Sequence, residues 1–466
     1  MVGSGSEPQK HQHEAISMFF SALKRRHKEA IGLLQIGTLL EYFDLMLYVH
    51  MSFLLNDFFF PKTDPHTSAL LTAFAFCSTY VLRPVGGLFF GFIGDHIGRK
   101  MTVIISSIMM GLSCILMANL PTYDQIGITA AYGVTLCRIL QGLACQGEII
   151  GAEIYLIEIT KPPLRYPVVA LCSFFASLGG MMALGLSVLL LLLKMDWRLA
   201  FWMGAGISSI GFLARTHLRE TPEFLRMQRQ KQKTSKVLKA KAASKDPKAD
   251  IHRWSMLAYF LISCGYPMCF YLAYMHLGTH LKDNYGYTSQ DLIQHNFILS
   301  VVQCLSFLLY ALLSYRTNQL KILRYRLFAF LPLMLLYPYW LRLIETPAQV
   351  LIFQILILVL GVMDVPAAGL MINHFPVLKR FMSASLIYAF SRMAIYVLTS
   401  FGVVYLTGAI SHWGVWWMML FICLGFDWSI GYFARLERLK DLGLFEVFSK
   451  IKDSLNRCLP HRMKEV

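Results

Sequence analysis

The chain has 466 residues, 56% of them hydrophobic and 15% charged, with a mean hydropathy of +0.52. A soluble domain carries about 25% charged residues, so an ordinary soluble fold is excluded. The net charge of +16 does not indicate nucleic acid, because the cations fall in short connections between apolar runs, as a positive-inside bias places them. The ten cysteines stand singly, for example Cys77, Cys114 and Cys264, which speaks against a disulfide framework or a zinc site. No phosphate-binding glycine loop and no nucleophile elbow occur, so neither an enzyme nor an ATP-driven motor is expected, and no cofactor or metal.

In chain order, a polar tail (1–30) without a secretory pattern precedes six apolar runs at about 31–55, 68–93, 101–120, 128–156, 168–193 and 199–217. Six more follow at about 254–280, 292–314, 327–343, 349–372, 383–410 and 415–434. Runs of roughly 20 residues match the bilayer thickness. The fold class is therefore an all-α membrane protein of twelve transmembrane helices in two six-helix bundles, 31–217 and 254–434. Aromatic clusters at span ends, such as Trp197 and Trp202 or Trp413 to Trp417, read as interfacial anchors.

Lys and Arg set the orientation. They gather in alternate connections: Lys24 to Arg26, Arg99 and Lys100, Lys161 and Arg165, Arg316 to Arg326, Lys379 and Arg380. Both termini are then expected to face the cytoplasm. The lysine-rich stretch 218–253 reads as a cytoplasmic linker along the membrane surface. In the tail (435–466), Leu444, Phe448, Ile451 and Leu455 give an amphipathic surface helix too short for a coiled coil. His276 and His280 lack the neighbours a metal would need.

Between runs two and three stands Gly91-Phe-Ile-Gly-Asp95-His-Ile-Gly98-Arg99-Lys100. Asp95 can cap a helix N-terminus, Gly98 permits a left-handed turn, and Arg99 and Lys100 can pair with an acid on a neighbouring helix. This pattern resembles the loop joining helices 2 and 3 of the major facilitator superfamily. A narrower resemblance, to its metabolite:proton symporters, rests on Gly37-Thr38-Leu-Leu-Glu41-Tyr42-Phe43-Asp44 in span 1 and Arg83-Pro84-Val85-Gly86-Gly87 in span 2. Arg138-Ile-Leu-Gln141-Gly142 with Gly147-Glu148 in span 4, and Leu218-Arg219-Glu220-Thr221-Pro222-Glu223, extend it. In the second half, Phe375-Pro376, Arg380 and Ser385 to Tyr388 are similar to the family pattern, whereas the second loop near Arg316 to Asn318 has lost its Asp and Gly.

A charge inside a bilayer costs about 2.5–3.5 kcal/mol on insertion scales and is functional by default. Arg83, Arg138 and Arg392, with Tyr388 as a hydrogen-bonding wall, are the expected substrate contacts, since a guanidinium grips a carboxylate bidentately. The alternative is internal pairing, for example Arg392 with Asp364 or Arg83 with Glu41. Asp44, Glu41, Glu148 and Glu153 are the candidate proton-coupling acids, Asp44 foremost; a static salt bridge to Arg83 or Arg138 is the alternative for the span 1 pair. Asp427 is a further charge within a span. Asp95, Arg99, Lys100, Glu158, Arg165, Glu220 and Glu223 form the expected inner gate network.

The resemblance implies a secondary carrier working by alternating access, with its site between the bundles. Three cavity arginines favour an anionic substrate, an organic di- or tricarboxylate, moved with protons. Alternatives are a larger polycarboxylate such as a citrate-type siderophore, a proline/betaine-like compatible solute, or a non-transporting sensor on the same fold. The expected setting is a bacterial inner membrane. The expected partners are the substrate, protons and lipid, with no nucleic acid, and the expected state is a monomer.

Overall fold

The protein is described here from a computed structural model covering residues 25–60, 79–229, 253–402 and 413–441. The start of span 2, the linker from 230 to 252, the end of span 11, both tails' outer parts and the proposed amphipathic helix lie outside the described residues.

Twelve helical rods are present among them. α1 (Arg25–Phe59), α2 (Arg83–His96), α3 (Arg99–Asn119), α4 (Ile128–Ile159), α5 (Arg165–Leu192) and α6 (Arg198–Thr216) form one bundle. The second begins with α7, which runs from Arg253–Ser263 through Gly265–Phe270 and a π-helical turn, Tyr271–His276, to Leu277–Tyr285. It continues with α8 (Ser289–Leu313), α9 (Gln319–Leu335, extended by Tyr337–Leu343), α10 (Pro347–Leu360, resumed at Ala368–Ile372), α11 (Arg380–Val397) and α12 (Trp413–Asp441). Eight helical stretches are long and apolar enough to cross a membrane, and the helices over Arg198–Leu213 and Pro347–Leu360 are shorter apolar ones.

Large apolar side chains such as Phe89, Phe92, Leu112, Leu136, Leu309 and Phe421 point outward at 51–67% exposure. Water would penalise such a surface, whereas hydrocarbon matches it. Polar side chains are turned inward instead. In α3, Ser106, Ser107 and Ser113 are buried and return their hydroxyls to carbonyls of their own helix.

Within the first bundle α1 packs on α4, α5 and α6, and α3 on α4 and α6; within the second, α7 packs on α11 and α12, α8 on α10, and α9 on α12. The bundles meet along α2 with α11 and along α5 with α8. The α2–α11 seam is close because glycines spaced by four face it, the small-residue pattern that lets helix backbones touch. A Cβ at Gly91 would lie 2.7 Å from Met382 Cα, and one at Gly87 3.2 Å from Leu386 Cα.

Beside this seam, at the α2–α3 turn, Asp95 reaches across to the other bundle. Its carboxylate accepts from the backbone N–H groups of Phe381 (3.1 Å) and Met382 (2.9 Å), in the first turn of α11. This is the cap anticipated for Asp95, made to a partner helix. Gly98 turns the chain at φ +139°, and Glu220 caps α3 by accepting from the N–H groups of Arg99 (3.0 Å) and Lys100 (3.2 Å). Arg99, fully buried, binds Glu158 at 2.9 Å and the Val377 carbonyl at 2.9 Å. Arg380 completes the network with Glu158 (3.3 Å) and Glu223 (3.5 Å). Lys100 Nζ donates to the Thr216 carbonyl at 2.8 Å. Arg165 differs from expectation: it turns back to donate to the Thr160 carbonyl at 3.0 and 3.1 Å and forms no ion pair among the described residues. At the corresponding turn between α8 and α9, Asn318 caps α9 locally, accepting from Leu320 and Lys321 N–H.

Span 9 starts earlier than hydropathy indicates. α9 begins at Gln319, so Arg326, read as a loop cation, is a buried intrahelical residue at 4% exposure.

Gly91→Val should prise α2 from α11, since its Cβ has no space beside Met382. In a background without other reactive cysteines, maleimide labelling of a cysteine placed at the fully buried Ser385 should accelerate several-fold. Unchanged labelling would show that the seam tolerates the branch.

Candidate functional site

A cavity of about 830 Å³, part of it open to solvent, lies between the bundles. α1 contributes Thr38, Tyr42 and Met46; α4 contributes Ile149 and Glu153; α5 lines one side with small residues from Cys172 to Gly180, and with Met181. From the other bundle come Tyr266, Phe270 and Tyr274 of α7, Ser300, Gln303 and Phe307 of α8, Asp364 and Val365 of α10, and Tyr388 and Arg392 of α11.

Each bundle delivers charge to this space. Tyr388 and Arg392 sit one helical turn apart on α11. Arg392 donates to Tyr388 Oη at 3.1 Å and to the Ser263 carbonyl at 3.3 Å, and its guanidinium lies over the Tyr388 ring at 4.5 Å and the Tyr266 ring at 5.1 Å. Asp364 comes from the break in α10, where the helix stops at Leu360 and resumes at Ala368. Arg326 stabilises that break by donating to the Gly361 and Val365 carbonyls, the second at 3.0 Å, while stacking on Tyr310 at 4.2 Å. An unwound segment inside hydrocarbon needs such a donor for its freed carbonyls. Glu153, opposite on α4, is 9% exposed and makes no hydrogen bond or ion pair among the described residues. Tyr274 donates to Gln303 Oε1 at 3.0 Å, and Gln303 Nε2 donates to Tyr266 Oη at 3.3 Å, so the aromatic wall is braced as a unit.

The expected site residues therefore divide. Arg392, Tyr388 and Glu153 line the cavity. Arg83 and Arg138 do not; they lie behind it, between α2 and α4, at 4% and 1% exposure. Neither pairs with Glu41, Asp44 or Glu148. Those three acids instead gather inside the first bundle around Arg215 of α6. Arg215 binds Glu148 and Ser107 directly and lies 3.9 Å from Glu41 Oε2. Asp44 is wholly buried and accepts from Ser208. Asp427 is exposed on the outer face of α12.

Sequence reasoning missed Arg215 and Arg326 because each stands near the end of an apolar run, where a cation reads as a boundary marker. It counted Asp364 among the charges within a span and as a packing partner of Arg392, but gave it no place in the site. The α10 break carries a signal, Gly361 followed by Pro366 inside an apolar run, which points to an interrupted helix.

Comparison with known proteins agrees with the architecture. A proline/betaine transporter of Escherichia coli (strain K12) is 31% identical over 204 residues, 42% of this chain and 41% of that protein. A glycine betaine/proline/ectoine/pipecolic acid transporter, OusA, of Dickeya dadantii (strain 3937) is 28% identical over 276 residues, covering 56% of this chain and 55% of that one. The inner membrane metabolite transport protein YhjE of Escherichia coli (strain K12) is 33% identical over 236 residues, 49% of this chain and 51% of that one. The chain thus spans about half the length of the curated relatives it matches, or less. Among solved structures, the proton:xylose symporter XylE of E. coli superposes with a TM-score of 0.70 at 14% identity, covering 86% of this chain and 95% of that one. The human organic anion transporter MFSD10 does so at 0.64 and 14%, covering 87% and 100%. These two show the shared fold. The Major Facilitator Superfamily profile matches residues 34–392, more than half of the sequence, and the chain belongs to that superfamily.

Proposed function

We propose that this protein is a proton-coupled symporter of a small zwitterionic solute, of the amino-acid or betaine kind, working by alternating access in a bacterial inner membrane with both termini cytoplasmic. The observation that carries the reading is the charge of the cavity: one guanidinium, Arg392, faces two carboxylates, Glu153 and Asp364, among five aromatic rings from the second bundle and Tyr42 from the first. A di- or tricarboxylate would meet two like charges and one cation, and a citrate-type chelator would meet the same obstacle. This is why the compatible-solute alternative is preferred over the organic acid expected from three cavity arginines. A zwitterion divides itself suitably. Its carboxylate takes the fork of Arg392, and its onium group sits against Tyr266, Phe270 and Tyr274 near Asp364, held by ring faces and opposite charge. Two relatives, named as a proline/betaine transporter and a glycine betaine/proline/ectoine/pipecolic acid transporter, support the same class.

Glu153 is the residue proposed to carry the proton. It faces the cavity, has no cationic partner in direct contact, and loses an otherwise uncompensated charge on protonation. Glu41, Asp44 and Glu148, bound up around Arg215 and Ser208, are assigned a structural role instead. The Asp95, Arg99, Glu158 and Arg380 network is the proposed inner gate, with Lys100, Glu220 and Glu223 fixing its flanks. It joins the bundles on one side of the cavity, so its breakage and reformation would alternate access.

Four outcomes follow. Glycine betaine or proline should raise the melting temperature of detergent-solubilised protein, and citrate or 2-oxoglutarate should not; stabilisation by the polycarboxylates alone would restore the organic-acid reading. Arg392→Lys should weaken solute binding about tenfold or more, because a lost charged hydrogen bond is worth roughly 1.5–3 kcal/mol; calorimetry showing unchanged affinity would make Arg392 a packing residue. Glu153→Gln should preserve exchange of labelled solute across proteoliposomes but abolish accumulation driven by a pH gradient, whereas Asp44→Asn should still accumulate; the reverse pattern would move coupling to the first bundle. Asp95→Asn removes a charge from the first turn of α11, about 0.5–2 kcal/mol, and should slow uptake with folding intact. Uptake at the unaltered rate would take the cap out of the gate.

A further inference from the structure

Arg83 and Arg138 present a feature that the cavity does not use. Where α2 and α4 cross, the backbones touch: a Cβ on Gly142 would lie 2.1 Å from the Thr79 carbonyl oxygen. That contact sets Thr79, in the helical turn leading into α2, and Arg83 one turn later beside the stretch of α4 that carries Arg138 and Gln141. Aromatic rings cover the flat faces of both guanidinium groups, Tyr80 under Arg83 at 4.4 Å and Tyr48 under Arg138 at 4.3 Å. Their N–H edges remain.

Those edges lack acceptors. Arg138 Nη1 donates to Gln141 Oε1 at 2.8 Å, which engages the amide oxygen of the group. Arg83 Nε, Arg138 Nε and Nη2, Gln141 Nε2 and Thr79 Oγ1 are all buried without a hydrogen-bond partner. Neither arginine forms an ion pair with a carboxylate among the described residues. The two guanidinium groups also lie within electrostatic reach of each other and of Cys145. Buried donors are normally satisfied, and a cluster that is not calls for a ligand. Two uncompensated cations in an apolar bundle call for a charged one. Water could meet the donors but would leave both charges.

We propose that Thr79, Arg83, Arg138 and Gln141 form a binding site for a small monovalent anion of halide size, buried between α2 and α4 and separate from the solute cavity. The set offers donors and positive charge with its one amide acceptor already engaged, which selects an anion. Neither arginine lines a described cavity, and both are at least 96% buried, which selects a small anion over a polyatomic metabolite. Bound there, the anion would tie α2 to α4 within the first bundle.

The test uses the full-length protein in detergent, with sodium chloride replaced stepwise by sodium gluconate at constant ionic strength. The melting temperature should rise with chloride along a saturable curve, and bromide should substitute. Arg83→Gln and Arg138→Gln should each shift half-saturation about tenfold or more, the scale of one lost charged hydrogen bond. Crystals of the unmodified protein grown with bromide should show an anomalous peak between Arg83 Nε and Arg138 Nη2, a readout that stands even if the variants fail to fold. A melting temperature indifferent to halide with no such peak would overturn the proposal. So would saturable stabilisation by acetate and by no halide, since the site would then take a carboxylate.

Discussion

Charge held inside an apolar slab must be compensated, and the positions at which it is compensated organise this molecule. Among the described residues, five arginines (Arg83, Arg138, Arg215, Arg326 and Arg392) and five acids (Glu41, Asp44, Glu148, Glu153 and Asp364) are buried in the bundles away from the α2–α3 turn. Their sum is neutral, yet they are not distributed as five pairs. Arg215 gathers three of the acids inside the first bundle, Arg326 is spent on backbone carbonyls at the α10 break, and Arg392 faces the remaining two acids across the cavity. Uneven placement of this kind is what separates a site from a core. Where compensation is local the helices are fixed, and where it is deferred a ligand or proton can complete it.

The same rule explains how the bundles are joined. Among the described residues the α2–α11 seam is built of glycines and backbone contact, with the Asp95 carboxylate of α2 bonded to the first turn of α11. Such a joint has little side-chain interdigitation to undo. Within the first bundle, by contrast, α1 is held to α4 and α6 by buried ionic groups whose separation would strand charge. Rigid bundles with a separable seam are the mechanical requirement for alternating access.

Much of this was legible in the sequence. Spans appear as apolar runs because lipid enforces length and composition together, and the loop from Gly91 to Lys100 declared its turn, cap and cations by residue type. Partnership was less legible. Asp95 was recognisable as a cap, but not that its helix would be α11, with Phe381 286 residues further along the chain. Arg83 and Arg138 looked like cavity residues because depth in a span can be read from position, whereas the face a residue presents depends on helix rotation and on which neighbour it meets. Glu153 carried no motif and was distinguished only once the cavity was outlined. Arg215 and Arg326 sit at run ends, where one or two residues of boundary error decide between a loop cation and a buried one.

One solute and one proton are proposed to complete the charge of the Arg392, Glu153 and Asp364 cavity together. Proton flux in proteoliposomes loaded with a pH-sensitive dye decides whether they do. Addition of external glycine betaine or proline, with no imposed gradient, should acidify the lumen in proportion to labelled solute taken up, and citrate should do neither. Solute entry without any lumenal acidification, or acidification driven by citrate and not by the zwitterions, would contradict the account.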